Sequence, residues 1–270
     1  MSLEERLSLN QMTTDPWTLE QTVAACARHQ ISWMAVWRHK LDALGVKQSA
    51  RVIKDAGLSV SSLCRGGFFS APTAAERTAQ IADNRRAIEE AAELGALCLV
   101  LVCGPARGQT LDESRQAVAD GIAEIAPYAR ACGVRLGIEP LHPMYAAERS
   151  VIVTLKQAND VAATLADDGV GVIIDVFHLW WDPEVYREIE RARGRILGFH
   201  VSDWPVPLPG ILTGRAMMGD GVIELRRLRR AVEDAGYAGP IEVEIFNESI
   251  WKNCGDELLT TMKRRFRECV

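Results

Sequence analysis

The chain has 270 residues, of which 48% are hydrophobic and 25% are charged. This balance is typical of a soluble globular protein and excludes a disordered or fibrous chain. Its 31 lysines and arginines against 36 aspartates and glutamates give a net charge of −5. Because no basic block stands out either, neither a nucleic acid nor an anionic membrane is expected as a partner.

The start of the chain and the cysteines indicate a compartment. The first residues are charged and lack an apolar signal core, and no run of about 18 apolar residues predicts a membrane span. The seven cysteines contain no Cys-x-x-Cys pair, so their spacing predicts neither a disulfide framework nor a structural zinc site. A reducing, cytoplasmic location is therefore expected.

Short apolar segments alternate along the chain with longer segments of helical periodicity. Strands are predicted at residues 7–12, 31–37, 59–64, 98–104, 135–139, 171–176, 197–202 and 241–246. Helices are predicted at 74–94, 114–132 and 224–235, each followed by a glycine suited to a helix C-cap. Eight strand–helix units favour an α/β fold with a single (β/α)8 TIM barrel, forming one domain over residues 1–270. A doubly wound open sheet is the alternative, but no glycine-rich phosphate loop follows the first strand.

Polar side chains end the last four predicted strands. Strand five ends in Glu139, strand six ends in Asp175, strand seven ends in His200, and strand eight carries Glu244. In a TIM barrel the C-terminal strand ends form one rim, so these side chains are expected to meet. Three carboxylates would repel one another there unless a cation lay between them. Three oxygen ligands and one imidazole predict a divalent metal ion, Mn²⁺ or Mg²⁺ first, with Zn²⁺ or Co²⁺ as alternatives.

Five segments carry a resemblance to a known family: "GIEPLHP", "IIDVFHLWWDP", "GFHVSDW", "GRAMMGDGVIEL" and "GYAGPIEVEIF". In this order and spacing the chain resembles the xylose isomerase-like TIM barrels, the sugar phosphate isomerase/epimerase superfamily. That group includes ketose 3-epimerases, inosose isomerases and dehydratases, and hydroxypyruvate isomerases. The resemblance covers nearly the whole chain and implies a metal ion held by Glu139, Asp175, His200 and Glu244. It also implies that His178 and Arg215 bind the substrate.

Other rim residues are further candidates. His142 and Trp37 are expected to line the substrate site, and Arg38 or Arg65 is expected to hold an anionic group. Tyr145 stands where the ketose epimerases of the family carry a glutamate, so the resemblance does not imply a simple ketohexose substrate. Strand periodicity places Glu242 on the same face as Glu244, where it is expected to make a buried structural contact, with Arg135 as the suggested partner.

Together these features predict a metal-dependent sugar isomerase or epimerase that acts on a sugar, keto-sugar or inosose, phosphorylated or not. Glu139 and Glu244 are expected to move a proton through a metal-bound enediolate. The expected partner is a small sugar- or polyol-derived substrate, and the expected assembly is a homodimer or homotetramer. A metal-dependent dehydratase (lyase) of an inosose or a 3-dehydroshikimate-type substrate is the alternative.

Two other classes of protein fit the sequence less well. A family-two AP endonuclease would need more histidine ligands than the five histidines present here. A non-catalytic binding subunit would not need two opposed carboxylates.

Overall fold

Eight parallel strands close into a barrel in the computed structural model, which describes residues 1–165, 167–253 and 255–270. Each strand pairs with its neighbours in chain order, and β8 pairs with β1. The predicted (β/α)8 TIM barrel is confirmed, and the open-sheet alternative is wrong. The strands are β1 (Leu7–Asn10), β2 (Trp33–Trp37), β3 (Ser59–Gly67), β4 (Leu99–Val102), β5 (Leu136–Glu139), β6 (Val170–Asp175), β7 (Ile196–Val201) and β8 (Ile241–Val243).

Helices connect the strands. In the part of the chain that the structure describes they are α1 (Leu19–His29), α2 (Val46–Asp55), α3 (Ala74–Leu94), α4 (Leu111–Ala131), α5 (Leu155–Leu165), α6 (Val176–Leu179), α7 (Val185–Arg191), α8 (Leu225–Asp234), α9 (Glu248–Lys252) and α10 (Asp256–Cys269). The prediction of α3 is confirmed at both ends. Thr73 and Glu76 form a capping box at its start, and Gly95 ends it in the left-handed conformation. Helix α4 begins three residues earlier than predicted, because Thr110 and Glu113 form a second capping box.

The barrel interior contains an apolar cluster near the starts of β4 and β7. Ile173 fills space that two glycines leave open: a Cβ atom on Gly137 would lie 2.5 Å from the Ile173 Cδ1 atom, and one on Gly198 would lie 2.9 Å from it. Side chains larger than glycine would overfill the interior at these two positions. The polar residues described below lie towards the C-terminal ends of the strands. The buried members of the apolar cluster are Cys64, Cys98, Val100, Ile173 and Leu197.

The described cysteines are free thiols, namely Cys26, Cys64, Cys98, Cys103, Cys132 and Cys269. Cys254, the remaining cysteine of the sequence, lies outside the described residues. None of the described helices combines the length and the apolar character that crossing a bilayer requires.

Strand β3 extends three residues beyond the predicted end at Cys64, and a side chain from α3 holds this extension. The Asn84 amide accepts a hydrogen bond from the Gly67 backbone N–H at 2.6 Å and donates one to the Gly67 carbonyl at 2.8 Å. Gly67 has a φ of +109°, and a Cβ atom there would lie 2.0 Å from the Val102 carbonyl oxygen. The extension matters because it carries Arg65 at the C-terminal rim.

Replacing Asn84 with alanine should destabilise the protein. The change leaves two buried backbone groups of Gly67 without partners, which costs about 2–4 kcal/mol in the free energy of unfolding. Urea unfolding followed by circular dichroism measures this loss. The matched control is Gln116→Ala, which removes an exposed amide from α4 and should change the free energy by less than about 0.5 kcal/mol. Equal effects of the two substitutions would contradict the role given to Asn84.

Candidate metal centre

The four strand-end residues predicted to hold a metal ion lie together at the C-terminal rim. Glu139 and Asp175 end their strands, His200 lies beside Asp175 in the β6–β7 register, and Glu244 follows β8 directly. All four side chains are buried. One potential ligand atom from each lies within 4.8 Å of the corresponding atoms of the other three.

The geometry of this quartet fits a divalent ion. Oxygen ligands on opposite sides of a six-coordinate ion lie about 4.2 Å apart, close to the spread of the four ligand atoms. Glu139 Oε1 and His200 Nδ1 lie 3.3 Å apart, yet neither has a hydrogen-bond partner among the described residues. Such buried atoms normally find partners, and a shared cation would supply one to each. Three carboxylates and an imidazole also suit Mn²⁺, Mg²⁺ or Zn²⁺.

Arg215 forms ion pairs with two of these carboxylates, Asp175 and Glu244. Its Nη1 atom lies 2.8 Å from Asp175 Oδ2 and 3.0 Å from Glu244 Oε2. The guanidinium lies between two aromatic rings, 4.7 Å from the Phe177 ring centroid and 5.2 Å from that of Phe246. Burial alone would raise the pKa of the Asp175 carboxyl, but Arg215, the two neighbouring histidines and a hydrogen bond from the Phe177 backbone together outweigh it and lower that pKa to about 2.

The long irregular segment 203–221 carries Arg215 to this position. The carboxylate of Asp203 accepts backbone hydrogen bonds from Trp204, Gly219 and Ile223 at 2.9–3.0 Å. The Asp203 backbone also pairs with that of Ala216. One buried carboxylate therefore fixes both ends of the segment and sets where Arg215 enters the barrel.

His200 is oriented from behind by Glu242. Glu242 Oε2 lies 3.3 Å from His200 Nε2, and this carboxylate also accepts hydrogen bonds from Ser61 at 2.8 Å and from Asn10 at 3.2 Å. The expected buried contact of Glu242 is confirmed, but Arg135 as its partner is wrong because Arg135 is exposed. A carboxylate at Nε2 directs Nδ1 of His200 towards Glu139 and Glu244, as carboxylates do behind metal-binding histidines.

His178 lies beside Arg215 and faces the cavity above the quartet. Its Nε2 atom is 3.1 Å from Arg215 Nη2, and its Nδ1 atom has no hydrogen-bond partner among the described residues. Burial lowers the pKa of His178 to about 3, and the charge of Arg215 acts in the same direction, so the imidazole is neutral near pH 7. The Tyr145 ring packs edge-on against this imidazole, with centroids 5.5 Å apart.

A small cavity, about 40 Å³ in volume, opens above the quartet. Glu139 and Glu244 line it, whereas Asp175 and His200 are not among the side chains that face it. Trp37 also lines it, and its indole N–H donates a hydrogen bond to Asn10, which in turn donates to Glu244 Oε1. The other described lining residues are Cys64, Arg65, Val102, Leu141, Tyr145, Arg149, His178, Leu212, Arg215 and Phe246.

Two candidates from the sequence take other positions. His142 packs against Trp181 and Trp204, with centroids 5.5 and 5.1 Å away, and is not among the lining residues. Arg38 forms ion pairs with Asp83 at 2.9 Å and Glu90 at 2.6 Å, so its charge is already neutralised. Sequence reasoning missed Arg149, because it lies in an irregular loop where no periodicity points into the barrel.

Metal binding should release protons and weaken as the pH falls. Burial raises the pKa of the Glu139 carboxyl to about 7, with the charge of Glu244 acting in the same direction. Burial would lower the pKa of His200, but Glu242 and the other facing carboxylates raise it well above its ordinary value. Both groups must lose their protons to bind a cation. Mn²⁺ affinity should therefore fall as the pH falls, by about tenfold per pH unit for each proton that binding releases.

Isothermal titration calorimetry in buffers of different ionisation enthalpy counts these protons. The Glu139→Gln side chain cannot bind the carboxyl proton. The Mn²⁺ affinity of this variant should therefore depend less steeply on pH. A Mn²⁺ affinity of the native protein that does not change between about pH 6 and pH 8 would contradict the assignment.

Comparisons with known proteins agree with this architecture. A protein of Sinorhizobium meliloti with a solved crystal structure is 48% identical and superposes with a TM-score of 0.96 over 98% of each chain. The IolI protein, crystallised with a zinc atom, is 20% identical and has a TM-score of 0.86 over 97% of each chain, which shows a shared fold. An inosose isomerase of Bacillus subtilis is 26% identical over 157 residues, which are 57% of this chain and 55% of the relative.

The chain thus matches about half of the length of the curated relatives it resembles. The family model described as xylose isomerase-like TIM barrel covers far more of it, matching residues 23–267. The family prediction made from the sequence is confirmed. The chain belongs to the xylose isomerase-like TIM barrel family.

Proposed function

We propose that this protein is a divalent-metal-dependent isomerase or epimerase of a sugar, keto-sugar or inosose, formed as one domain over residues 1–270. One observation carries the proposal: of the four buried residues of the quartet, Glu139 and Glu244 line the cavity and the other two do not. The arrangement leaves two carboxylates in reach of a substrate. The likeness to an inosose isomerase supports the same class of reaction.

The proposed metal ligands are Glu139, Asp175, His200 and Glu244. When bound, a divalent ion supplies Lewis-acid polarisation of the substrate carbonyl, which acidifies the neighbouring C–H bond. The protein's task is then to move the proton. Glu139 suits that task because it lines the cavity in which a substrate would bind, and a carboxylate can accept and return a proton.

The two carboxylates come from separated positions in the barrel, the end of β5 and the residue after β8. One removes the proton from the carbon beside the carbonyl, and the C–H electron pair moves to give an enediolate. The other glutamate, protonated to the carboxylic acid at the start of the cycle, gives its proton to the enediolate, so the two groups exchange protonation states. Protonation on the opposite face of the same carbon gives the epimer. Protonation of the neighbouring carbon, with a proton passing from one oxygen of the enediolate to the other, gives the isomer.

His178, Arg215 and Trp37 would hold the substrate over these carboxylates. The neutral imidazole of His178 has a buried nitrogen available to a substrate hydroxyl group. Arg215 offers charged N–H donors to an oxygen that becomes negative during the reaction. The Trp37 ring gives the cavity an apolar wall, which suits the C–H face of a sugar.

The protein should catalyse exchange of a substrate C–H proton with solvent, and both glutamates should be needed. Mn²⁺-loaded protein is incubated in D₂O with ketoses, inososes and their phosphates, and NMR follows deuterium incorporation and products. Glu139→Gln and Glu244→Gln should each reduce exchange by about 10²–10⁴-fold, since each removes a proton-transfer group. Metal content is measured for each variant, so that loss of the metal ion is distinguished from loss of proton transfer.

The control is Glu248→Gln, which makes the same change on the exposed surface of α9 and should leave exchange unaltered. Full exchange in either rim variant would exclude the role given to that glutamate. A product that has lost water would replace the proposal with a dehydratase.

A further inference from the structure

Two arginines line the wall of the same cavity on the side formed by β3 and the loop after β5. Arg65 lies within the extended part of β3, and Arg149 lies in the loop between β5 and α5. Both are half-buried. Arg65 stands across the barrel from His200, because β3 and β7 are separated by three strands in either direction around the closed sheet. Arg149 reaches the cavity from the loop that follows β5.

Neither arginine has a carboxylate within 4.0 Å among the described residues, whereas the neighbouring arginines are paired. Arg215 is bound to Asp175 and Glu244. Asp83, an acidic group that acts on Arg65 through space, is already bound by Arg38 and Arg86.

Aromatic rings hold these two guanidinium groups without neutralising them. The Arg65 guanidinium carbon lies 4.0 Å from the Phe68 ring centroid, and that of Arg149 lies 5.9 Å from the Tyr145 centroid. The backbone of Arg149 is fixed as well, since its carbonyl accepts a hydrogen bond from Gly104 at 2.9 Å and its N–H donates one to Tyr145 at 2.8 Å. The positions of both charges are therefore set by the fold.

The two charges also act on each other. Burial lowers the pKa of Arg65 from its ordinary value, and the positive charges of Arg149 and Arg38 act in the same direction. Two half-buried cations that face one cavity without an anion between them are unfavourable unless a ligand brings the missing charge. Guanidinium groups bind phosphate and carboxylate oxygens with paired, directional hydrogen bonds.

We propose that Arg65 and Arg149 form an oxyanion subsite that binds a phosphate or carboxylate group at the end of the substrate remote from the metal centre. This inference rests on the proposed function and narrows it to anionic substrates, either phosphorylated sugars or sugar acids. Tyr145 fits the same reading. It packs against His178 on one side and Arg149 on the other, so it bridges the reacting end of the cavity and the anion-binding end.

The test measures binding of inorganic phosphate and of glycolate to the metal-loaded protein by calorimetry. Arg65→Met and Arg149→Met should each weaken binding of the preferred anion about tenfold, and the double variant should weaken it further. The ligand bound more tightly by the native protein identifies the anionic group. Arg85→Met is the matched control, because Arg85 also lies over an aromatic ring, 5.6 Å from the Tyr128 centroid, but on the exposed surface of α3. The Arg85→Met variant should bind phosphate and glycolate with the same affinity as the native protein.

Unchanged phosphate and glycolate affinity in the double variant would overturn the proposal, and so would native protein that binds neither anion at millimolar concentration. Arg65→Lys and Arg149→Lys are controls for misfolding. They keep the positive charge and should retain part of the anion affinity that the methionine variants lose. The exchange assay in D₂O is run on the same double variant with uncharged sugars. Exchange that persists while anion binding is unaltered would reject the subsite and leave the proposed isomerase chemistry intact.

Discussion

Three carboxylates and an imidazole buried within 4.8 Å of one another are the constraint on which the rest of this barrel rim depends. Buried negative charges are costly without compensating cations and hydrogen bonds. The protein supplies part of the compensation through Arg215, which reaches Asp175 and Glu244, and through Asn10, which donates to Glu244. Glu139 Oε1 and His200 Nδ1 have no hydrogen-bond partner among the described residues, and these are the atoms a metal ion would take.

The same constraint explains why the barrel interior becomes polar towards the rim. Ser8 and Ser61 lie 2.8 Å apart, Ser61 donates to Glu242, and Glu242 faces His200. An apolar interior would be simpler to pack, but it would leave His200 free to turn its ring. This buried chain of polar groups crosses from β1 and β3 to β8 and β7, so the orientation of one imidazole depends on four strands.

The strand-end residues were predictable because each needs only its own strand to be placed: Asp175 and His200 end up adjacent once the barrel closes. Helix α3 was predictable at both ends because its caps are local. The partner of Glu242 was not predictable, because strand periodicity shows on which face of the strand a side chain lies but not which residue it meets across the barrel. The end of β3 depends on Asn84, 17 residues later, and no local pattern signals that contact. Arg149 was not predicted for a related reason. Contacts with Gly104 and Tyr145 position its loop, and no periodic sequence pattern indicates them.

The anchoring of segment 203–221 by Asp203 has a consequence for how this protein can diverge. The hydrogen bonds that position Arg215 lie at the base of the segment, at residues 203, 204, 216, 219 and 223, and at Phe246 and Asn247, which bond the Arg215 backbone. The outer part includes the exposed side chains of Val206 and Ile211, and the Ile211 carbonyl accepts a hydrogen bond from the Tyr145 hydroxyl. Substitutions or insertions there would reshape the cover over the cavity while the arginine stayed in register with the carboxylates. Substrate range and chemical machinery would then be able to evolve separately within one loop.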